Sequence, residues 1–195
     1  MKFNVKKKTM DQKIAVLGAG SWGTAMAIHL GRIGNEVHLW ARNKSLIETL
    51  LRDRMNGAYL PEILFPSNVN PMNSLEDALS EVDCVVVAVP SHGLRSVVQQ
   101  AAEFLAPHTT IVSATKGLEP KTMLRMSEVI EQEINPSNAI VVLSGPSFAL
   151  EVAHELPTAV LVASSRSDSR DLIQQQFRSS YFRLYGSDDV IGVEI

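Results

Sequence analysis

Apolar runs of strand length alternate with stretches of helical periodicity almost from one end of the chain to the other. Lys13–Leu17, Glu36–Trp40, Val82–Val89, Thr110–Thr115 and Asn138–Ser144 are strand-length runs rich in β-branched and aliphatic residues. They predict strands, and the unbroken apolar run in Val82–Val89 predicts one buried on both faces, as in a parallel sheet. Between them the spacing predicts helices over Thr24–Leu30, closed by Gly31 and Gly34, and over Ser45–Met55, capped by Asn43. Further helices are expected from the Ser74 cap, over Gly93–Leu105 and from Pro120 to Ile134. In the last of these, Leu124, Ser127, Val129 and Ile130 would face inward, with Met123 and Met126 as fillers. Residues 56–71, punctuated by Pro61, Pro66 and Pro71, read as a long loop, a length that often carries function. Thr158–Ser164 reads as a strand, Asp168–Arg178 as a helix and Tyr181–Tyr185 as a final strand. The expectation is an α/β domain.

The first strand–helix junction sharpens that picture. Gly18, Gly20 and Gly23 have the spacing G-x-G-x-x-G, directly after a strand and at the start of a helix. Gly18 permits the tight turn, Gly20 lets backbone approach a pyrophosphate, and Gly23 lets helix and strand pack closely. The free N–H groups of the helix start attract an anion without a cationic side chain, which suits a run with no Lys or Arg from Ile14 to Gly31. The fold expected is therefore Rossmann-type: a mostly parallel twisted sheet with helices on both faces, binding a dinucleotide.

At 195 residues the chain is long enough for one well-cored domain and short for two. With 18 basic and 21 acidic residues the net charge of −3 does not point to nucleic acid or a membrane surface. The single cysteine, Cys84, lies in an apolar strand and reads as a core residue. Residues 1–12 are basic but lack an apolar segment after the lysines, so they read as a disordered leader in which Met10 is a possible start. A cytoplasmic protein is expected, without membrane insertion. The histidines are scattered and predict no metal site, and there is no G-x-S-x-G elbow.

Other candidate residues fall at the ends of the strands. Ala41-Arg42-Asn43 follows the second strand, where an acidic residue would select NAD. Arg42 instead suits a 2′-phosphate and the face of an adenine, so both NADP and NAD are expected. Pro90, Ser91 and His92 end the third run, and His92 is equally a cofactor neighbour or an ordinary helix-start residue. Lys116-Gly117 reaches the same edge, placed to present one cation to an anionic ligand. Gly145-Pro146-Ser147 forms a second glycine-bearing turn facing the crevice.

The blocks Gly18–Ala25, Val89–His92, Ala114–Glu119, Leu143–Ala149 and Ile191–Glu194 together resemble the bacterial NAD(P)-dependent glycerol-3-phosphate dehydrogenases. The resemblance covers the chain from Lys13 onward. It implies a cofactor site of Gly18, Gly20, Ser21, Trp22, Gly23, Arg42, Pro90, Lys116 and Ala149. Lys116, Gly145 and Ser147 would hold sn-glycerol 3-phosphate or dihydroxyacetone phosphate, and Lys116 would also serve catalysis. The activity implied is hydride transfer between NAD(P)H and dihydroxyacetone phosphate, feeding phospholipid synthesis, in a homodimer. On this reading residues 13–188 form the dinucleotide-binding domain, and residues 189–195 begin a connection to an all-helical substrate domain absent from this chain. The family's proton-accepting lysine would lie past residue 195, so the chain alone is expected to bind cofactor without turnover. Two alternatives stand beside this reading: a dehydrogenase of hydroxy acids or ketopantoate on the same fold, and a stand-alone dinucleotide-binding or redox-sensing module.

Overall fold

The computed structural model describes residues 12–195, so the expected leader lies, apart from Gln12, outside the described residues. The chain opens with β1 (Lys13–Leu17), α1 (Ser21–Arg32) and β2 (Glu36–Trp40), the expected βαβ unit. In α2 (Lys44–Asp53) the Asn43 side chain accepts the Leu46 N–H at 3.1 Å, the predicted cap. A hairpin of β3 (Met55–Asn56) and β4 (Leu60–Leu64) follows, then β5 (Val69–Met72) and the Ser74-capped α3 (Leu75–Leu79). β6 (Cys84–Val87), α4 (Ser91–Ala102), β7 (Thr110–Ser113), α5 (Met126–Glu133) and β8 (Ile140–Ser144) then alternate. The described chain ends with α6 (Ala149–Ala153), β9 (Thr158–Ala163), α7 (Ser167–Phe177), β10 (Phe182–Ser187) and α8 (Val190–Glu194).

Eight strands form one sheet in the order β10-β9-β8-β7-β6-β1-β2-β5, parallel throughout except between β8 and β9. This is the Rossmann-type arrangement that the glycine turn and the apolar runs predict. The winding reverses between β1 and β6, which leaves a crevice beyond their C-terminal ends. Side chains of the central strands divide between two cores. Ile14, Val16, Cys84, Val86 and Val112 enter the core shared with α1, and Ala15, Leu17, Val85, Val87 and Ile111 enter the core shared with α4 and α5. Cys84 is buried as expected, and desolvation pushes its thiol pKa well above the usual range.

The structure corrects two stretches of the sequence reading. Residues 56–71 are no loop: they hold most of the hairpin and the start of β5, which pairs with β2 at the sheet edge. Pro71 is tolerated there because an edge strand has one side without a partner. The helix expected from Pro120 starts only at Met126. Before it the chain closes a turn, with Glu119 N–H donating to the Leu124 carbonyl at 2.9 Å and Leu118 bridging to Arg125. Met123 has φ +59° there, a left-handed conformation that no α-helix accommodates, and its side chain is exposed rather than a core filler. Arg95 holds this turn, donating to both Glu119 carboxylate oxygens at 2.8 Å. That pairing draws the Glu119 pKa down to about 2. Gly31, expected to close α1, instead lies inside it.

Two contacts fix the ends of α1, one on the turn after β1 and one on the end of α7. At its start Gly23 passes so close to the turn that an added Cβ would stand 1.9 Å from the Gly18 carbonyl oxygen. Toward its end the buried His29 bonds to the Phe177 carbonyl through Nε2 at 2.7 Å and to the Tyr181 hydroxyl through Nδ1 at 2.9 Å. A carbonyl only accepts, so Nε2 carries the proton and Nδ1 accepts from the hydroxyl. Burial lowers the His29 pKa from 6.5 to about 4.

Two predictions follow from these contacts. Above pH 6.5 His29 is neutral in both folded and unfolded chains; between 6.5 and about 4 only the unfolded chain takes up its proton. Stability should therefore fall with pH across that window by about 3 kcal/mol from this residue. Urea unfolding of wild type and His29→Asn at pH 7 and pH 4.5 should show the slope shrinking in the variant, and equal slopes would remove His29 as its source. Gly23→Ala should cost more than about 3 kcal/mol, the upper range of over-packing. Gly20→Ala, with nothing within 4 Å of its added Cβ, should cost no more than about 1 kcal/mol. Similar unfolding midpoints for the two variants would contradict the crossing geometry.

Candidate active site

The crevice between β1 and β6 opens into a cleft of about 840 Å³. Its floor is the turn after β1, where Gly18 has φ +116° and the chain enters α1 at Ser21. A Cβ on Gly18 would meet the Ala88 carbonyl at 2.6 Å, so the turn lies directly on the end of β6. The N-cap residue Gly20 supplies no side-chain acceptor, and the first turn of α1 contains no acidic residue. Its N–H groups are left for an anion, and the absence of a Cβ on Gly20 keeps the approach open. Trp22 adds a buried indole N–H without a protein partner. These features fit the pyrophosphate of a dinucleotide.

The hairpin holds the turn from one side. Asn56 donates to the Ala19 carbonyl at 2.9 Å and to Thr24 Oγ1 at 2.8 Å, while Ser21 Oγ donates to the Tyr59 carbonyl at 2.7 Å. Tyr59 thereby joins the cleft wall. Arg42 stands exposed at the end of β2, in backbone held by Asn73, whose amide donates to the Ala41 and Arg42 carbonyls at 2.9 and 3.0 Å. No carboxylate is found at residues 41–43, so Arg42 is the charged side chain at this end of the cleft.

The opposite wall comes from the ends of β6, β7 and β8. Thr115 Oγ1 donates to the Val89 carbonyl at 2.9 Å, drawing the two strand ends together. Pro90 and His92 begin α4 beside the cleft. Lys116 projects from the loop after β7, and its ammonium donates to the Gly145 carbonyl at 3.0 Å. An ammonium has three donors, which leaves two for an anion. Ser147, Phe148 and Ala149 complete this side, with Phe148 69 % exposed.

The fold thus brings Gly18, Gly20, Ser21, Trp22, Arg42, Pro90, Lys116, Ser147 and Ala149 to one cleft, with His92 among them. Gly23 lies beneath it as a packing residue. Gly145 lines a second cavity of about 470 Å³, bounded by Lys116–Leu118 on one side and Gly192–Ile195 on another, so Lys116 stands between the two spaces. Sequence reasoning missed Asn56 and Tyr59. Asn56 was the available signal, since asparagine favours the first position of a tight turn, here closed by the Tyr59 N–H donating to the Asn56 carbonyl at 3.3 Å. Among the described residues no cluster of His, Cys, Asp or Glu could hold a metal ion, and no helix is long and apolar enough to cross a membrane.

Comparison with known proteins agrees with this geometry. Residues 13–170 match the model of the NAD-dependent glycerol-3-phosphate dehydrogenase N-terminus. The chain is 43% identical over 183 residues to a glycerol-3-phosphate dehydrogenase [NAD(P)+] of Thermoanaerobacter sp., covering 94% of this chain and 54% of that protein. It is 45% identical over 186 residues to that of Koribacter versatilis, covering 94% and 55%. The crystal structure of the Coxiella burnetii glycerol-3-phosphate dehydrogenase superposes with a TM-score of 0.90 at 36% identity, covering 94% of this chain and 56% of that one. The chain spans about half the length of the curated relatives it matches. On these grounds it belongs to the NAD-dependent glycerol-3-phosphate dehydrogenase family and represents its N-terminal part.

Proposed function

We propose that the whole protein interconverts dihydroxyacetone phosphate and sn-glycerol 3-phosphate, with this chain supplying the NAD(P) cleft and the near side of the substrate site. The observation that carries the reading is one continuous cleft, running from the phosphate turn at Gly18–Trp22 to Lys116 and Ser147. A sensor module needs the first end only. The stand-alone binding reading is accordingly the poorer account of Lys116.

In this proposal the N–H groups at the start of α1 bind the pyrophosphate, and Arg42 holds the 2′-phosphate or covers the adenine. Pro90 and Ala149 flank the nicotinamide end. When bound, NAD(P)H would supply the hydride for reduction of the ketone. Lys116 directs its free N–H donors at the ketone oxygen, stabilising the charge that develops there, while Gly145 and Ser147 position the phosphate end. The proton for the oxygen comes from the lysine that the family resemblance implies past residue 195. The product feeds glycerophospholipid synthesis, in a cytoplasmic homodimer.

The direct test follows NADPH consumption by the full-length protein with dihydroxyacetone phosphate. Turnover well above that with ketopantoate or other short ketones is expected, and none above them would overturn the proposal. The 195-residue chain alone should bind NADPH and turn over at least ~10²–10⁴-fold more slowly, the usual loss for a missing positioned acid. Turnover by this chain equal to the full-length protein would reject the division of labour. At the cofactor end, Arg42→Ala should weaken NADPH by roughly 1.5–3 kcal/mol, the worth of a charge-assisted bond, and NADH by less. Equal losses would make Arg42 an adenine platform without a role in phosphate selection.

A further inference from the structure

The last residue of α8 is Glu194, whose side chain is only 2 % exposed. Its Oε1 accepts the Ser127 N–H at 2.7 Å, and its Oε2 accepts from Ser127 Oγ at 2.6 Å and from Arg125 Nη1 at 2.9 Å. A buried carboxylate persists only where such donors replace its water. The tie spans 69 residues from Arg125 and joins α8 to the start of α5. Apart from this tie, α8 is held on β8 and β9, where Val193 and Val190 pack against Val142 and Ala163 in a small separate cluster.

What the tie reaches matters more than α8 itself. Arg125 closes the loop that begins with Lys116, through its bridge to Leu118. The outer part of that loop is held independently by Arg95, which pairs with Glu119 and with Glu133. The Arg125 end is the one fastened to the wall facing Lys116. Across the 470 Å³ cavity, Lys116–Leu118 line one side and Gly192–Ile195 the other. Without the clasp, Arg125 still has Glu128 at 2.9 Å, while α8 keeps its small apolar contact with β8 and β9.

We infer that Glu194 is a positioning residue: by clasping Arg125 and Ser127 it fixes the separation between the Lys116 loop and the α8 wall, and so the seat of the phosphorylated substrate. The inference rests on the proposed substrate reading. Glu194 is among the residues lining this cavity, but both of its carboxylate oxygens are taken by Ser127 and Arg125, and its effect passes through the placement of Lys116.

The test compares Glu194→Gln and Ser127→Ala with wild type in the full-length protein. Glu194→Gln replaces an acceptor facing Arg125 with an amide that cannot satisfy both donors. It should lower kcat/KM for dihydroxyacetone phosphate by about 10²-fold, the scale of a small misplacement at a reacting centre, mainly through a raised KM. NADPH affinity and binding stoichiometry should remain those of wild type, because α8 does not line the cofactor cleft. Ser127→Ala, which removes the hydroxyl's bond to Glu194 and the one it accepts from Arg125 but leaves the Arg125–Glu194 pair and the Ser127 N–H bond, should raise the same KM several-fold. A loss matched by fewer NADPH sites, or confined to kcat at constant KM, would reduce Glu194 to a folding role and overturn the inference. Should Glu194→Gln fail to fold, Ser127→Ala decides: a wild-type KM rejects the inference. If wild type itself shows no turnover of dihydroxyacetone phosphate, the substrate reading falls and takes this inference with it; wild-type turnover with unchanged variants rejects the inference alone.

Discussion

The Cα of Gly23 and the carbonyl of Gly18 meet at a distance that leaves no room for a side chain, and the rest of the cleft is built outward from that contact. The close approach presses the first turn of α1 onto the end of β1. Gly18 in turn lies on the Ala88 carbonyl, so the turn is wedged at the point where the sheet reverses its winding. The N–H groups of the helix start are thereby aimed into the crevice with no side chain in front of them. A cationic residue is not required there, and none is present between Ile14 and Gly31.

Holding that geometry takes supports at a distance from it. His29 fastens the far end of α1 to Phe177 and Tyr181, Asn56 fastens the turn to the hairpin, and Thr115 joins the ends of β6 and β7. Polar side chains in these places are buried or nearly so, and each has its partners. Their cost of desolvation is offset only in the folded arrangement, so they favour one geometry over its near neighbours. The cleft is in this sense assembled from elements whose positions are fixed by specific bonds rather than by apolar packing alone.

The sheet and the phosphate turn were legible in the sequence because their signals are local. Continuous apolar runs announce strands buried on both faces, and the glycine spacing specifies a backbone path regardless of what lies elsewhere. The hairpin at residues 55–64 was less legible, since its short strands and the turn at residues 57–59 sit beside prolines that read as loop. The start of α5 could not be found from periodicity, because Arg95 in α4 captures Glu119 and stabilises a closed turn in place of a helical one. Glu194 was invisible as more than part of a resembling block; its partners stand at Arg125 and Ser127, and only the fold brings them together.

On the proposed reading, the anion seat is the backbone of the turn after β1. Backbone amide resonances of the chain, followed by NMR as NADP+ is added, report on it directly. The largest, saturable shifts are expected at the N–H groups of Gly20, Ser21, Trp22 and Gly23, with a second group near Arg42. Saturable binding that leaves those four amides unmoved would contradict it.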